Sequence, residues 1–242
     1  VNLVSAMTPQ TAIPSNGSDI DLAALDADYR NAEGGGNIVM AGGTSTDAIG
    51  PTGFAMTRTT GYRGVRYGTG ASTNTIYSGG GEIRMYGGSY VNSVTGLIVE
   101  GNKTIASGRG TIDVKSSMTL TSNTRGIELG ANRAARVTLL SSATASPAIN
   151  IEATTPTTND AAILIGHHAN TWGTPANRIL IEATGQGGVQ ISGSNAVNSS
   201  YFGIEMNGTA VTSATGDIVL NGGQRGVRFS GWYASLGHNV LG

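Results

Sequence analysis

Gly216-Asp-Ile-Val-Leu-Asn-Gly222 and, four residues later, Gly226-Val-Arg-Phe-Ser-Gly231 are two copies of one phrase: glycine, a short run alternating apolar with polar, glycine again. The phrase recurs upstream as Gly36-Asn-Ile-Val-Met-Ala-Gly42, Gly81-Glu-Ile-Arg-Met-Tyr-Gly87, Gly126-Ile-Glu-Leu-Gly130 and Gly203-Ile-Glu-Met-Asn-Gly208. A strand-sized unit repeated at short intervals describes a stack of similar coils, each burying its apolar face on its neighbours. In Ile112-Asp-Val114, Ile127-Glu-Leu129, Ile149-Asn-Ile151, Val189-Gln-Ile191 and Val227-Arg-Phe229 the outer residues enter a narrow core and the middle one meets solvent.

Apolar centres fall at Ile38, Val65, Ile83, Ile98, Ile112, Ile127, Val137, Ile149, Ile163, Ile179, Val189, Ile204, Ile218 and Val227. Two such strands with their turns fill about 23 to 30 residues, the usual length of a β-helical coil. The 242 residues then hold about eight to ten coils. Asn-Gly pairs at Asn207-Gly208 and Asn221-Gly222 are too few for a hairpin sandwich, so parallel stacking is expected. The reading is all-β, a parallel β-helix or solenoid.

Residues 36–231 form the repeats. Residues 1–35 read as an N-terminal arm, cap or first coil. Within them Ser18 to Tyr29 suits a short helix capped by Ser18, while Asp19-Ile-Asp-Leu22 suits another strand, the slightly preferred reading. Residues 232–242 form a C-terminal cap or a tail that docks on another subunit.

Composition narrows the function. Glycine reaches 38 residues with only 6 prolines and no Gly-X-Y register, which excludes collagen. Charged residues are 12% and net charge is −1, with no basic face for a nucleic acid. Without cysteine there is neither a disulfide framework nor a thiolate metal site. No segment approaches the roughly 18 consecutive apolar residues of a membrane span. Val1-Asn-Leu-Val-Ser-Ala-Met7 lacks the charged start of a signal peptide, and the missing initiator Met fits processing or a fragment.

The cycle from Phe202 through Gly216-Asp-Ile-Val-Leu220 to Gly231 resembles the repeats of filamentous-haemagglutinin-type exoproteins, the large adhesins exported by two-partner secretion. The similarity runs loosely over residues 36–231 and is sharpest over 95–231. It implies a right-handed parallel β-helix at a cell surface, acting in adhesion or as a stalk. The chain departs from that family in lacking its N-terminal secretion domain.

Gly34-Gly-Gly-Asn and Gly79-Gly-Gly-Glu lack the Gly-x-Asp of calcium-binding β-rolls. The Asp19/Asp21 and Asp26/Asp28 pairs offer oxygen ligands, though solvated faces account for them. His167 and His168 are neighbours and point apart in a strand, and His238 stands alone, so no metal ligand set is expected. Glu82, Glu100, Asp113, Glu128, Glu152, Glu182, Glu205 and Asp217 occur about once per strand. They read as an outward ladder paired with Arg66, Arg84, Arg178 or Arg228, not as the gathered carboxylates of a glycan hydrolase. No phosphate loop, cofactor or catalytic residue is expected.

Trp172, Trp232 and Tyr233 are the aromatics singled out for sugar stacking or subunit contact; Tyr62, Tyr67, Tyr77, Tyr86, Tyr90 and Tyr201 are further candidates. Tyr67 and Tyr86 each follow an alternating strand and suit packing under a loop. Asn16, Asn102, Asn198 and Asn207 begin glycosylation triplets.

The sequence thus points to a secreted, non-enzymatic structural or adhesive protein. Expected partners are further copies, end to end or side by side, and host or matrix glycans. A phage tail-fibre or tailspike segment that binds a receptor as a trimer is the rival, and a glycan-cleaving β-helix is the third reading.

Overall fold

The computed structural model describes residues 3–4, 34–60, 62–68, 73–91, 93–119, 125–130, 136–156, 160–166, 179–195, 200–230 and 235–238. Its chain begins with β1 (Leu3–Val4), β2 (Ile38–Met40), β3 (Gly42–Thr46), β4 (Pro51–Gly53) and β5 (Ala55–Thr57). Triplets then repeat: β6 (Val65–Tyr67), β7 (Asn74–Tyr77) and β8 (Ile83–Ser89), followed by β9 (Leu97–Val99), β10 (Lys103–Ala106) and β11 (Ile112–Met118). The third triplet is β12 (Ile127–Leu129), β13 (Val137–Ser141) and β14 (Ile149–Thr154); the fourth is β15 (Ile163–Ile165), β16 (Ile179–Ala183) and β17 (Val189–Ser194). Last come β18 (Ile204–Asn207), β19 (Thr209–Ser213), β20 (Ile218–Asn221), β21 (Val227–Ser230) and β22 (Ser235–His238).

Apart from β3 and β4, the strands pair in parallel with their counterparts one coil on, which makes a parallel β-helix of three long sheets. Sheet one runs β1-β7-β10-β13-β16-β19-β22, sheet two β2-β8-β11-β14-β17-β20, and sheet three β6-β9-β12-β15-β18-β21. The coil therefore has three strands instead of the two expected. From Ile83 to Ile112, Ile149, Val189 and Ile218 its length is 29, 37, 40 and 29 residues. Longer coils mean fewer of them: the described residues give six strands along sheets two and three and seven along sheet one, below the eight to ten coils expected.

Register explains the stability. Ile38, Ile83, Ile112, Ile149, Val189 and Ile218 stack as one inward row, and Met40, Met85, Val114, Ile151, Ile191 and Leu220 as a second. The inner members are fully buried, and each such side chain is worth about 1.5–3 kcal/mol of burial. Sheet three closes the core with Leu97, Val99, Ile127, Leu129, Ile163, Ile165, Ile204 and Met206. Where it turns into sheet one, Gly130 and Gly166 take φ of +79° and +86°, which a side chain would strain.

The corner between sheets one and two carries a polar ladder, Ser78–Ser107–Ser141–Ala183–Ser213. Ser78 Oγ donates to the Gly81 carbonyl at 2.5 Å, and Ser107 and Ser141 both donate to the Gly110 carbonyl, at 2.6 and 2.7 Å. Lys103, 1% exposed, occupies an inward position of sheet one between Asn74 and Val137. Its Nζ lies 5.9 Å from the Tyr67 ring centre and donates to the Asn102 carbonyl at 3.4 Å.

An antiparallel hairpin, β3 with β4, interrupts the first strand of sheet two: β2 pairs with Ile83–Met85 and β5 with Gly87–Ser89 of the same strand β8. Neither Asn-Gly pair makes a hairpin; Asn207-Gly208 joins β18 to β19 in different sheets. The ends of the chain contribute to the stack, β1 on β7 and β22 on β19. The Ser18–Tyr29 helix or strand lies outside the described residues.

Candidate functional site

The outer face of sheet two holds an ordered set of polar side chains, and it divides into two halves. Alternation places Arg84, Asp113, Asn150, Gln190 and Val219 in one outward row, and Tyr86, Lys115, Glu152, Ser192 and Asn221 in the next.

In the N-terminal half every one of these groups is engaged. Arg84 Nη2 and Nη1 grip the Asp47 carboxylate at the hairpin turn, at 2.9 and 3.1 Å, while its Nε reaches Glu82 at 3.0 Å. Nη1 also donates to the Pro51 carbonyl at 3.1 Å, so one guanidinium pins the hairpin to the coil. This hydrogen bonding to Arg84, helped by the Ile49 and Gly50 amides, lowers the Asp47 pKa to about 2. Arg84 is raised in turn, chiefly by Asp47.

Tyr86 lies beneath the hairpin with Phe54 at 5.8 Å between ring centres, 7% exposed. Its hydroxyl donates to Asp113, and burial together with that bond pushes the phenol above its ordinary pKa. Asp113 also accepts from Asn150 Nδ2 at 2.8 Å and pairs with Lys115 at 3.1 Å. Both of its oxygens are therefore met by donors from β8, β11 and β14.

The C-terminal half differs. Among the described residues the side chains of Glu152, Thr154, Gln190, Ser192 and Ser194 make no hydrogen bond or ion pair. They line an open depression of about 320 Å³ with Asn221 and Gly223 at its far wall.

The other expected carboxylates do not gather. Glu128 and Glu205 belong to sheet three and Glu182 to sheet one, while Glu100 directly follows β9. Glu100 pairs with Arg66 at 2.7 Å, as cross-strand pairing predicts. Glu128 and Glu205 are not solvated as an outward ladder requires: they are 8% and 3% exposed, in a row where Ile98 and Leu164 are also buried. Glu128 pairs with Arg125 at 2.9 Å, and Arg125 in turn meets Asp160 at 3.2 Å. Arg228 faces Glu205 in register and stacks on Phe202 at 5.7 Å. Asp217 is exposed. Among the described residues no three His, Asp or Glu converge on a metal-sized site.

Trp172, Trp232 and Tyr233 lie outside the described residues, as do His167, His168, Arg178, Asn16, Asn198 and both aspartate pairs. Tyr67, Tyr77 and Tyr86 are buried, Tyr77 with its pKa pushed up to about 12 by desolvation. Tyr62, Tyr90 and Tyr201 are exposed, at 71%, 43% and 41%. Asn207 is 5% exposed and closed to glycosylation; Asn102 is half-buried and accepts from the Arg136 amide. Sequence reasoning missed the Asp47–Arg84 clamp, because the partners lie 37 residues apart with no motif between them. Among the described residues no helix is long and apolar enough to cross a membrane.

No protein-family model, curated protein or solved structure matches the chain.

Proposed function

We propose that the chain is a non-catalytic structural or adhesive protein displayed outside a cell, its β-helix serving as a rod whose outer faces make the contacts. One observation carries this reading. The described carboxylates are spread over three sheets, and on sheet two Glu82, Asp113 and the hairpin's Asp47 are bound to cations, while the aliphatic ladders run without a break. Such a layout invests in length and surface and gathers no acid with a base. The likeness of the Phe202–Gly231 cycle to exported adhesin repeats agrees with it.

Self-association belongs to the same reading. Phe229 continues the inward row of Leu129, Ile165 and Met206, yet it is 44% exposed, and Ile218, Leu220 and Val227 are only partly covered. Core-row residues left partly exposed among the described residues favour stacking of a further copy, a heterologous contact that need not close.

Light scattering on size-exclusion fractions, imaged by electron microscopy, tests the proposal. A monomeric rod or an open-ended filament is the expected result. A defined trimer would replace it with a viral fibre, and release of reducing sugar from a polysaccharide would replace it with a hydrolase.

A further inference from the structure

We infer that the depression over β14, β17 and β20 is a binding site for a neutral oligosaccharide lying along the axis of the helix. The inference deepens the adhesive reading and rests on it. Glu152 is level with Ser192, and Ser192 with Asn221; Thr154 is level with Ser194. The polar groups are thus repeated from strand to strand at about 4.8 Å. One such step is close to the advance of one pyranose in an extended glycan. Successive sugars laid across the strands therefore meet equivalent groups.

The chemistry fits hydroxyl recognition. Glu152 accepts from two hydroxyls at once, Gln190 both donates and accepts, and the serine and threonine hydroxyls turn to suit. Unlike the network around Arg84, these side chains spend none of that capacity inside the protein. Glu152 is the one charged group lining the depression, and Lys115 lies level with it on the neighbouring strand. Lys115 is already paired with Asp113, so Glu152 leaves the depression with one net negative charge, which repels a polyanion and admits a neutral ligand.

The test uses the full chain on immobilised linear oligomers of glucose, mannose, galactose and N-acetylglucosamine, with sulfated and sialylated glycans alongside. The chain should be retained by at least one neutral series. Gln190→Ala and Ser192→Tyr should each weaken retention about tenfold, the worth of one net hydrogen bond or more. Asp217→Asn, directly before β20 and outside the depression, should change nothing, and all three variants should keep the parent's circular dichroism and unfolding midpoint. Retention by no glycan, retention by anionic glycans alone, or equal retention of Ser192→Tyr overturns the inference. If the chain attaches to cells and Ser192→Tyr attaches as well, the adhesive reading stands and the site falls. A trimer or sugar turnover in the earlier experiments would instead remove the reading itself.

Discussion

At Asp47 a single carboxylate ties the turn of the β3–β4 hairpin to Arg84 of sheet two. Its pKa of about 2 lies below the ordinary 3.8, so ionised Asp47 is favoured in the folded chain. The clamp is complete above pH 3.8, weakens as pH falls toward 2, and is gone below. Titration of the Asp47 carboxyl by NMR should give a midpoint near 2; a midpoint at the ordinary value would show that Arg84 does not hold it. In Asp47→Asn at neutral pH, hydrogen exchange should quicken over residues 42–53 and stay unchanged in the coils. None of this was legible in the sequence, because a contact between a turn and a strand leaves no periodic trace. The packing of Tyr86 under a loop was legible, since the residue follows an apolar alternation and precedes glycine.

Strands declare themselves by their side chains, and the three sheets do so unequally. Sheets two and three were read from Ile83, Ile112, Ile127, Ile149 and their counterparts. Sheet one was read only at Val137 and Ile179, because β7, β10 and β19 are mostly threonine, serine, alanine, asparagine and lysine. Missing those strands gave a coil of two in place of three. The outward rows misled for a related reason: Leu97-Ile98-Val99 and Ile163-Leu164-Ile165 are apolar throughout, so alternation cannot tell their faces apart. The serine corner allows a contrast within one element. Ser107→Ala removes a donor bonded to the Gly110 carbonyl and should cost about 0.5–1.5 kcal/mol in denaturant unfolding. Ser213 occupies the same ladder with its buried hydroxyl unpartnered, so Ser213→Ala should be neutral or stabilising. Equal losses at the two positions would show that the ladder's bonds do not set its stability.

Among the described residues the strands of the three long sheets pair with those of the adjacent coils, so stability should vary with position. Ile149, with coils on both sides and no exposure, should lose about 2–5 kcal/mol on change to alanine. Ile218 is in the same row but only partly covered, so Ile218→Ala should lose clearly less by the same chemical denaturation. Identical losses would mean that the end of the ladder is as enclosed as its middle. The hairpin has a further consequence at this scale. Because β2 and β5 rest on one partner strand in a single line, the ladder reads straight past everything between them. Residues 42–53 are therefore a port in the rod: a foreign peptide spliced there would be carried outward on a fixed mount, and no rung would have to change its register to accept it.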